Sequence, residues 1–243
     1  KWSIKNSADF WDSFWDFSKI KGEKGKKKIK KSKIFLKNLF LPKSKLNFAE
    51  NLLSKNNNQK AATFISENGY REERNWNELN LNVGKISNYL KNNEIKKGDR
   101  IVAYMSNTIE TVEAFIATVS IGAIWSSCSP DFGAKGVNER FSQVKPKILF
   151  IIDRYFYNGK EINVQNRLLD IVSKISSIKH IVIVKYPGQR QLIKRFNIRK
   201  VNIHNFSKIK SKKKIIKKKF KRFDFEHELA ILYSSGTTGK PKC

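Results

Sequence analysis

Cysteine is almost absent from this sequence: Cys128 and Cys243 are the only two in 243 residues. That excludes a disulfide framework and any thiolate-rich zinc cluster, and it fits a reducing compartment. Cys128 has no base near it in sequence and reads as a small buried residue rather than a nucleophile. Histidine is as scarce, with His180, His204 and His227 scattered without ligand spacing, so no metal or acid–base role is assigned to them. No apolar run is long and uncharged enough to span a bilayer. No secretory signal is legible, the single Met is Met105, and both ends read as cut from a longer chain.

Acidic residues are also few, 21 against 50 Lys and Arg, which leaves a net charge of +29. A field of that sign favours polyanions, whether nucleic acid, an anionic membrane or a nucleotide ligand. The excess gathers in residues 24–33 and 208–221, which read as solvated runs. A nucleic-acid module is one alternative, but the runs lack interleaved aromatics or Arg, and no helix-turn-helix, RNA-binding or zinc-finger signature accompanies them.

What is present is alternation. Phe10, Trp11, Phe14 and Trp15 form one stripe on a helix that Ser7 caps, with Asp9 in its first turn. Docking of this stripe on the chain's own main domain is preferred to a membrane anchor, because Asp9, Asp12 and Asp16 have the wrong sign for anionic lipid. Residues 24–33 read as a loop and 46–53 as a short helix. From residue 61 strands and helices exchange: strand 61–66, then a helix from the capping box Asn75-Trp76-Asn77-Glu78 to about 92, with Leu79, Val83, Ile86 and Leu90 on one face. Strand 100–105 follows, then a helix capped by Asn107 or Thr108, strand 123–127, helix 135–144 and the apolar strand 148–152. Helix 164–175, strand 180–185, a Lys-rich linker and a buried strand over 229–233 complete the series. This order predicts an α/β fold with a doubly wound, mostly parallel sheet and ligands at the carboxyl ends of its strands, preceded by a helical N-terminal segment. The expected division is 1–60 for that segment, packed on the main domain, and 61–243 for an incomplete nucleotide-binding domain.

The last stretch, Tyr233-Ser234-Ser235-Gly236-Thr237-Thr238-Gly239-Lys240-Pro241-Lys242, gathers small, hydroxylated and cationic residues without apolar periodicity. Gly236 and Gly239 let the main chain turn sharply and bring its N–H groups close to an anion, while the hydroxyls and lysines add donors and charge. It is not a Walker A motif, which needs more residues between its glycines and a Ser or Thr after the Lys.

The string resembles the phosphate loop of the adenylate-forming enzymes, the superfamily of acyl-CoA synthetases, luciferases and peptide-synthetase adenylation domains. Other stretches are similar to one branch of it, the acetoacetyl-CoA synthetases: Asp9-Phe10-Trp11, Trp15-Asp16-Phe17, 46–53, Lys97-Gly98-Asp99-Arg100, 120–133, Arg140-Phe141-Ser142-Gln143 and Tyr157-Asn158-Gly159-Lys160-Glu161. The resemblance runs nearly end to end and weakens in 24–33 and 189–223. It makes the chain the front part of the large N-terminal domain of such an enzyme. It implies activation of acetoacetate by ATP to an acyl-adenylate with release of pyrophosphate, then transfer to CoA in the cytosol.

By the same resemblance Ser234, Ser235, Gly236, Thr237, Thr238, Gly239 and Lys242 bind the ATP phosphates, and Lys240 fills a variable position. The loop with Ser129, Pro130 and Asp131 falls where the nucleotide end of CoA approaches, and it reads equally as a plain strand-to-helix turn. Lys160 either neutralises a CoA phosphate or is simply solvated. The family's Mg2+-binding acid, ribose-binding Asp and catalytic Lys are expected beyond residue 243, so this chain alone is expected to be inactive. Alternatives are a synthetase for acetate or another short acid, and a degenerate relative. Partners are expected to be the small molecules acetoacetate, ATP and CoA, with no specific nucleic acid and no membrane span.

Overall fold

A computed structural model describes the chain except residues 35–36, 193–197, 199, 213–219 and 235–240. Its centre is a parallel sheet of five strands in the order Asn202–Asn205, His180–Val184, Ile148–Ile152, Arg100–Tyr104, Ile124–Cys128. The chain steps outward from Arg100–Tyr104 to Ile124–Cys128, then crosses back to Ile148–Ile152 and onward to the far edge. That reversal creates a switch point between Arg100–Tyr104 and Ile148–Ile152, the kind of place where parallel sheets bind ligands at their carboxyl edge. Ile148–Ile152 sits mid-sheet and is buried throughout, as its unbroken apolar run requires.

Helices cover both faces. Trp76–Asn92 packs against Ile109–Ser120 and Phe206–Ser211, while Ala134–Val144 pairs with Gln165–Lys174. The capping box is formed in full: Glu78 gives its backbone N–H to the Asn75 side chain, and the Glu78 carboxylate accepts the Asn75 N–H. Leu79, Val83, Ile86 and Leu90 are all buried on the face that sequence periodicity marks. Thr108, not Asn107, caps the next helix.

The N-terminal segment is joined to the rest by a small antiparallel sheet in which Lys45–Leu46 lies between Gly22–Glu23 and Phe223–Asp224. Asn47, buried, caps the Phe48–Leu52 helix with its oxygen and gives its amide hydrogens to the carbonyls of Ser120 and Lys221, each at 2.9 Å. Trp15 is buried, but Trp11 and Phe14 of the same helix remain exposed and line an apolar cavity of about 580 Å3 with it, and Phe17 is exposed as well.

Several expectations need correcting. Ser7 does not cap the aromatic helix; Asn6 precedes it without a side-chain cap, and Ser7 is the first helical residue. The run 24–33 is not merely solvated loop. Lys24 pairs with Asp12 and Asp16 at 2.8 Å each, Lys28 with Asp9 and Asp12, and Ile29–Lys30 forms a short strand with Leu39–Phe40. In the Lys-rich stretch Asn202–Asn205 completes the main sheet, and Lys210 reaches Glu113, whose carboxylate is fully buried. The run 229–233 is not a buried strand: it touches the sheet through one parallel bridge, Ala230 with Trp125, and Leu232 is 81% exposed. It lies at the outer edge, where only one side meets protein among the described residues. Two hairpins went unread: Lys60–Ile65 with Arg71–Asn75, and Arg154–Tyr157 with Lys160–Asn163.

Candidate functional site

Parallel strands deliver their loops to one edge of the sheet, so the place to look is past Tyr104, Cys128 and Ile152. Tyr104 is fully buried, and its hydroxyl lies 2.7 Å from the Pro130 carbonyl and 2.6 Å from that of Phe132. The last buried side chain of one strand therefore holds the 129–133 loop leaving its neighbour. Within the loop Ser129 donates to Asp131 at 2.6 Å, and both residues are exposed while Pro130 is buried. Arg140, one helix on, stacks on the Phe132 ring with its guanidinium carbon 4.4 Å from the centroid.

The terminal stretch approaches beside Ile124–Cys128. Trp125 donates its N–H to Leu229 at 3.1 Å, and Ile231 returns an N–H to Trp125 at 2.8 Å. Ser126 gives its hydroxyl hydrogen to the Ile231 carbonyl at 2.8 Å and lies 3.1 Å from the Tyr233 hydroxyl. Burial pushes the Tyr233 phenol up to about 12, so it stays neutral at physiological pH. Arg140 also reaches the Tyr233 ring, 6.0 Å from its centroid, and so stands between the 129–133 loop and the root of the terminal loop.

Because Ala230 is in parallel register with Trp125, the chain arrives at Ser234 beyond the level of Cys128, the carboxyl end of that strand. There it doubles back: Ser234 and Lys242 form an antiparallel bridge, and Pro241 accepts a hydrogen bond from Gln143 at 2.7 Å. The intervening loop, 235–240, lies outside the described residues, and with it Ser235, Gly236, Thr237, Thr238, Gly239 and Lys240. Its two feet are fixed. The Lys242 side chain is exposed and without a carboxylate partner among the described residues.

A family model described as "AMP-binding enzyme" matches residues 52–243. The chain belongs to the AMP-binding enzyme family. The chain is 37% identical over 248 residues to the acetoacetyl-CoA synthetase of Gallus gallus, covering 100% of this chain and 37% of that protein. It is 38% identical over 242 residues to the acetoacetyl-coenzyme A synthetase of Rhizobium meliloti (strain 1021), covering 100% and 36%. Among solved structures the acetoacetyl-CoA synthetase from Streptomyces lividans superposes with a TM-score of 0.88 at 25% identity, over 99% of this chain and 36% of that one. The chain thus spans a little over a third of the length of the curated relatives it matches.

Ser129, Pro130 and Asp131 share the carboxyl edge with Ser234. Lys160 stands apart from them, exposed just past the tight turn Asn158-Gly159, where Gly159 donates to Glu67 at 2.8 Å. Tyr104 and Arg167 carry no sequence signal of their own, and Arg140 and Gln143 stand in the sequence only as part of the Arg140-Phe141-Ser142-Gln143 resemblance, with no role assigned. Single polar residues inside strands and helices carry no local signal, although Asn158-Gly159 does announce its hairpin, with φ of 50° and 71° as a primed turn requires.

Proposed function

We propose that this AMP-binding enzyme forms part of an acid–thiol ligase that activates acetoacetate. A carboxylate oxygen of the acid attacks the α-phosphorus of ATP, the bond to pyrophosphate breaks, and the CoA thiol then displaces AMP from the acyl-adenylate. Acceleration of such a step is mostly positioning and neutralisation of charge on the leaving phosphates. In this reading the N–H groups of Gly236 and Gly239 and the hydroxyls of Ser234, Ser235, Thr237 and Thr238 cradle those phosphates, and Lys242 neutralises them. Ser129, Pro130, Asp131 and Lys160 are assigned to the nucleotide end of CoA.

The observation that carries the proposal is the closure of a Gly/Thr-rich loop by Ser234 and Lys242 just past the carboxyl end of a parallel strand. The acid itself, acetoacetate, is taken from the names of the relatives. Magnesium would enter bound to ATP. No described helix is long and apolar enough to cross a membrane. We place the enzyme in the cytosol, with residues 1–60 as a segment packed on the domain 61–243 and no specific nucleic-acid partner.

Acid-dependent ATP–pyrophosphate exchange by the full-length protein tests this. Acetoacetate should support the fastest exchange of any short acid. Faster exchange with acetate would reassign the substrate, and no exchange with any acid would end the ligase reading.

A further inference from the structure

Arg167, on the Gln165–Lys174 helix, is the meeting point of three elements at the carboxyl edge. Its Nη1 donates to the Pro130 carbonyl at 2.6 Å and lies 3.1 Å from the Tyr104 hydroxyl and 3.4 Å from that of Tyr155. Tyr104 belongs to the main sheet, Pro130 to the loop bearing Ser129 and Asp131, and Tyr155 to the hairpin bearing Lys160. No carboxylate stands beside the guanidinium among the described residues; neutral oxygens and the Tyr155 ring, 5.9 Å away, hold it.

The proton count explains why a second donor is needed. Tyr104 has one hydroxyl hydrogen and two carbonyls within reach. With Arg167 serving Pro130, Tyr104 is free to serve Phe132, and both carbonyls are satisfied. Without Arg167, one carbonyl in this partly buried site loses its donor, and the link to Tyr155 is lost as well. A lysine keeps the charge and the donor hydrogens but carries them on a shorter, more flexible stem than the Nη1 that makes all three contacts here.

We infer that Arg167 is a positioning residue for the thiol half-reaction, tying the 129–133 loop and the 154–163 hairpin into one body against the sheet. The inference rests on the assignment of that loop and hairpin to CoA. It assigns Arg167 no contact with substrate.

The test uses the full-length protein with Arg167→Gln, Arg167→Lys and Tyr104→Phe, reading pyrophosphate exchange, the KM for CoA in thioester formation, and thermal melting. Loosening a preorganised subsite should raise the KM for CoA by about tenfold or more in Arg167→Gln, leave exchange within about threefold, and give an intermediate value in Arg167→Lys. Tyr104→Phe removes a single hydroxyl and should move the KM for CoA in the same direction, which keeps the test available if Arg167→Gln misfolds. A KM for CoA that stays within about twofold, or exchange that falls in step with thioester formation, overturns the inference. Absence of exchange in the unmodified protein would instead remove the ligase reading, and this inference with it.

Discussion

Ser234 and Lys242 face each other across an antiparallel bridge, Ser234 giving its N–H to the Lys242 carbonyl at 3.0 Å and Lys242 returning its own at 3.2 Å. The loop between them is thereby tethered at both feet, and Gln143 holds the outgoing strand through Pro241. Tethering lowers the entropy lost when a loop closes on a ligand, because its ends are already in place. Exposed Lys242 stands at the foot of that loop, with no carboxylate among the described residues to neutralise it.

The charged network around Glu113 should be sensitive to the loss of one member. Glu113 is fully buried and accepts from Asn82 at 2.7 Å, with Lys210 at 3.1 Å and Arg74 at 3.5 Å. Glu113→Ala takes the buried acceptor from Asn82, Lys210 and Arg74, while Glu110 and Glu72 still face the two cations, and should cost roughly 1.5–3 kcal/mol in urea unfolding. Lys210→Ala, at a more exposed site, should cost less. A Glu113→Ala loss under about 1 kcal/mol would show that the cations find other partners.

The two thiols should differ sharply. Burial raises Cys128 to about 11, whereas Cys243 is exposed. At neutral pH Cys128 is then held as the unreactive thiol. A maleimide should label Cys243 in the native protein and reach Cys128 only after unfolding, as read by peptide mass. Equal native labelling would contradict the burial of Cys128.

His180 and His204 sit on adjacent strands with Nδ1 and Nε2 3.3 Å apart, and burial holds both below their ordinary value of 6.5. Below that value the unfolded chain takes up protons that the folded pair refuses. Stability is therefore complete above about pH 6.5 and lost as the pH falls through the window beneath it. His204→Gln should flatten the slope of stability against pH there; an unchanged slope would mean that other groups set it.

How much of this was legible follows from where each signal lies. The Trp76–Asn92 helix was readable because capping and periodicity agree over a long span. Ile148–Ile152 was readable from its unbroken apolar run. Arg71–Asn75 was not: its sequence, Arg-Glu-Glu-Arg-Asn, has no apolar alternation, and it is a strand because it pairs with Lys60–Ile65. The run 229–233 misled in the opposite sense, since apolar composition says nothing about whether a strand lies at the centre or the edge. The chain-local glycines and hydroxyls mark a loop of which only the feet, Ser234 and Lys242, lie among the described residues. Tyr104, Arg140 and Arg167 act through distant partners, which only the fold brings together.

The most direct test of the account compares Lys242→Ala with Lys240→Ala in the full-length protein by acetoacetate-dependent ATP–pyrophosphate exchange. If Lys242 neutralises the phosphates, its loss should slow exchange by about a hundredfold or more, while Lys240→Ala stays within about threefold. Equal effects of the two substitutions, or none from Lys242→Ala, would contradict it.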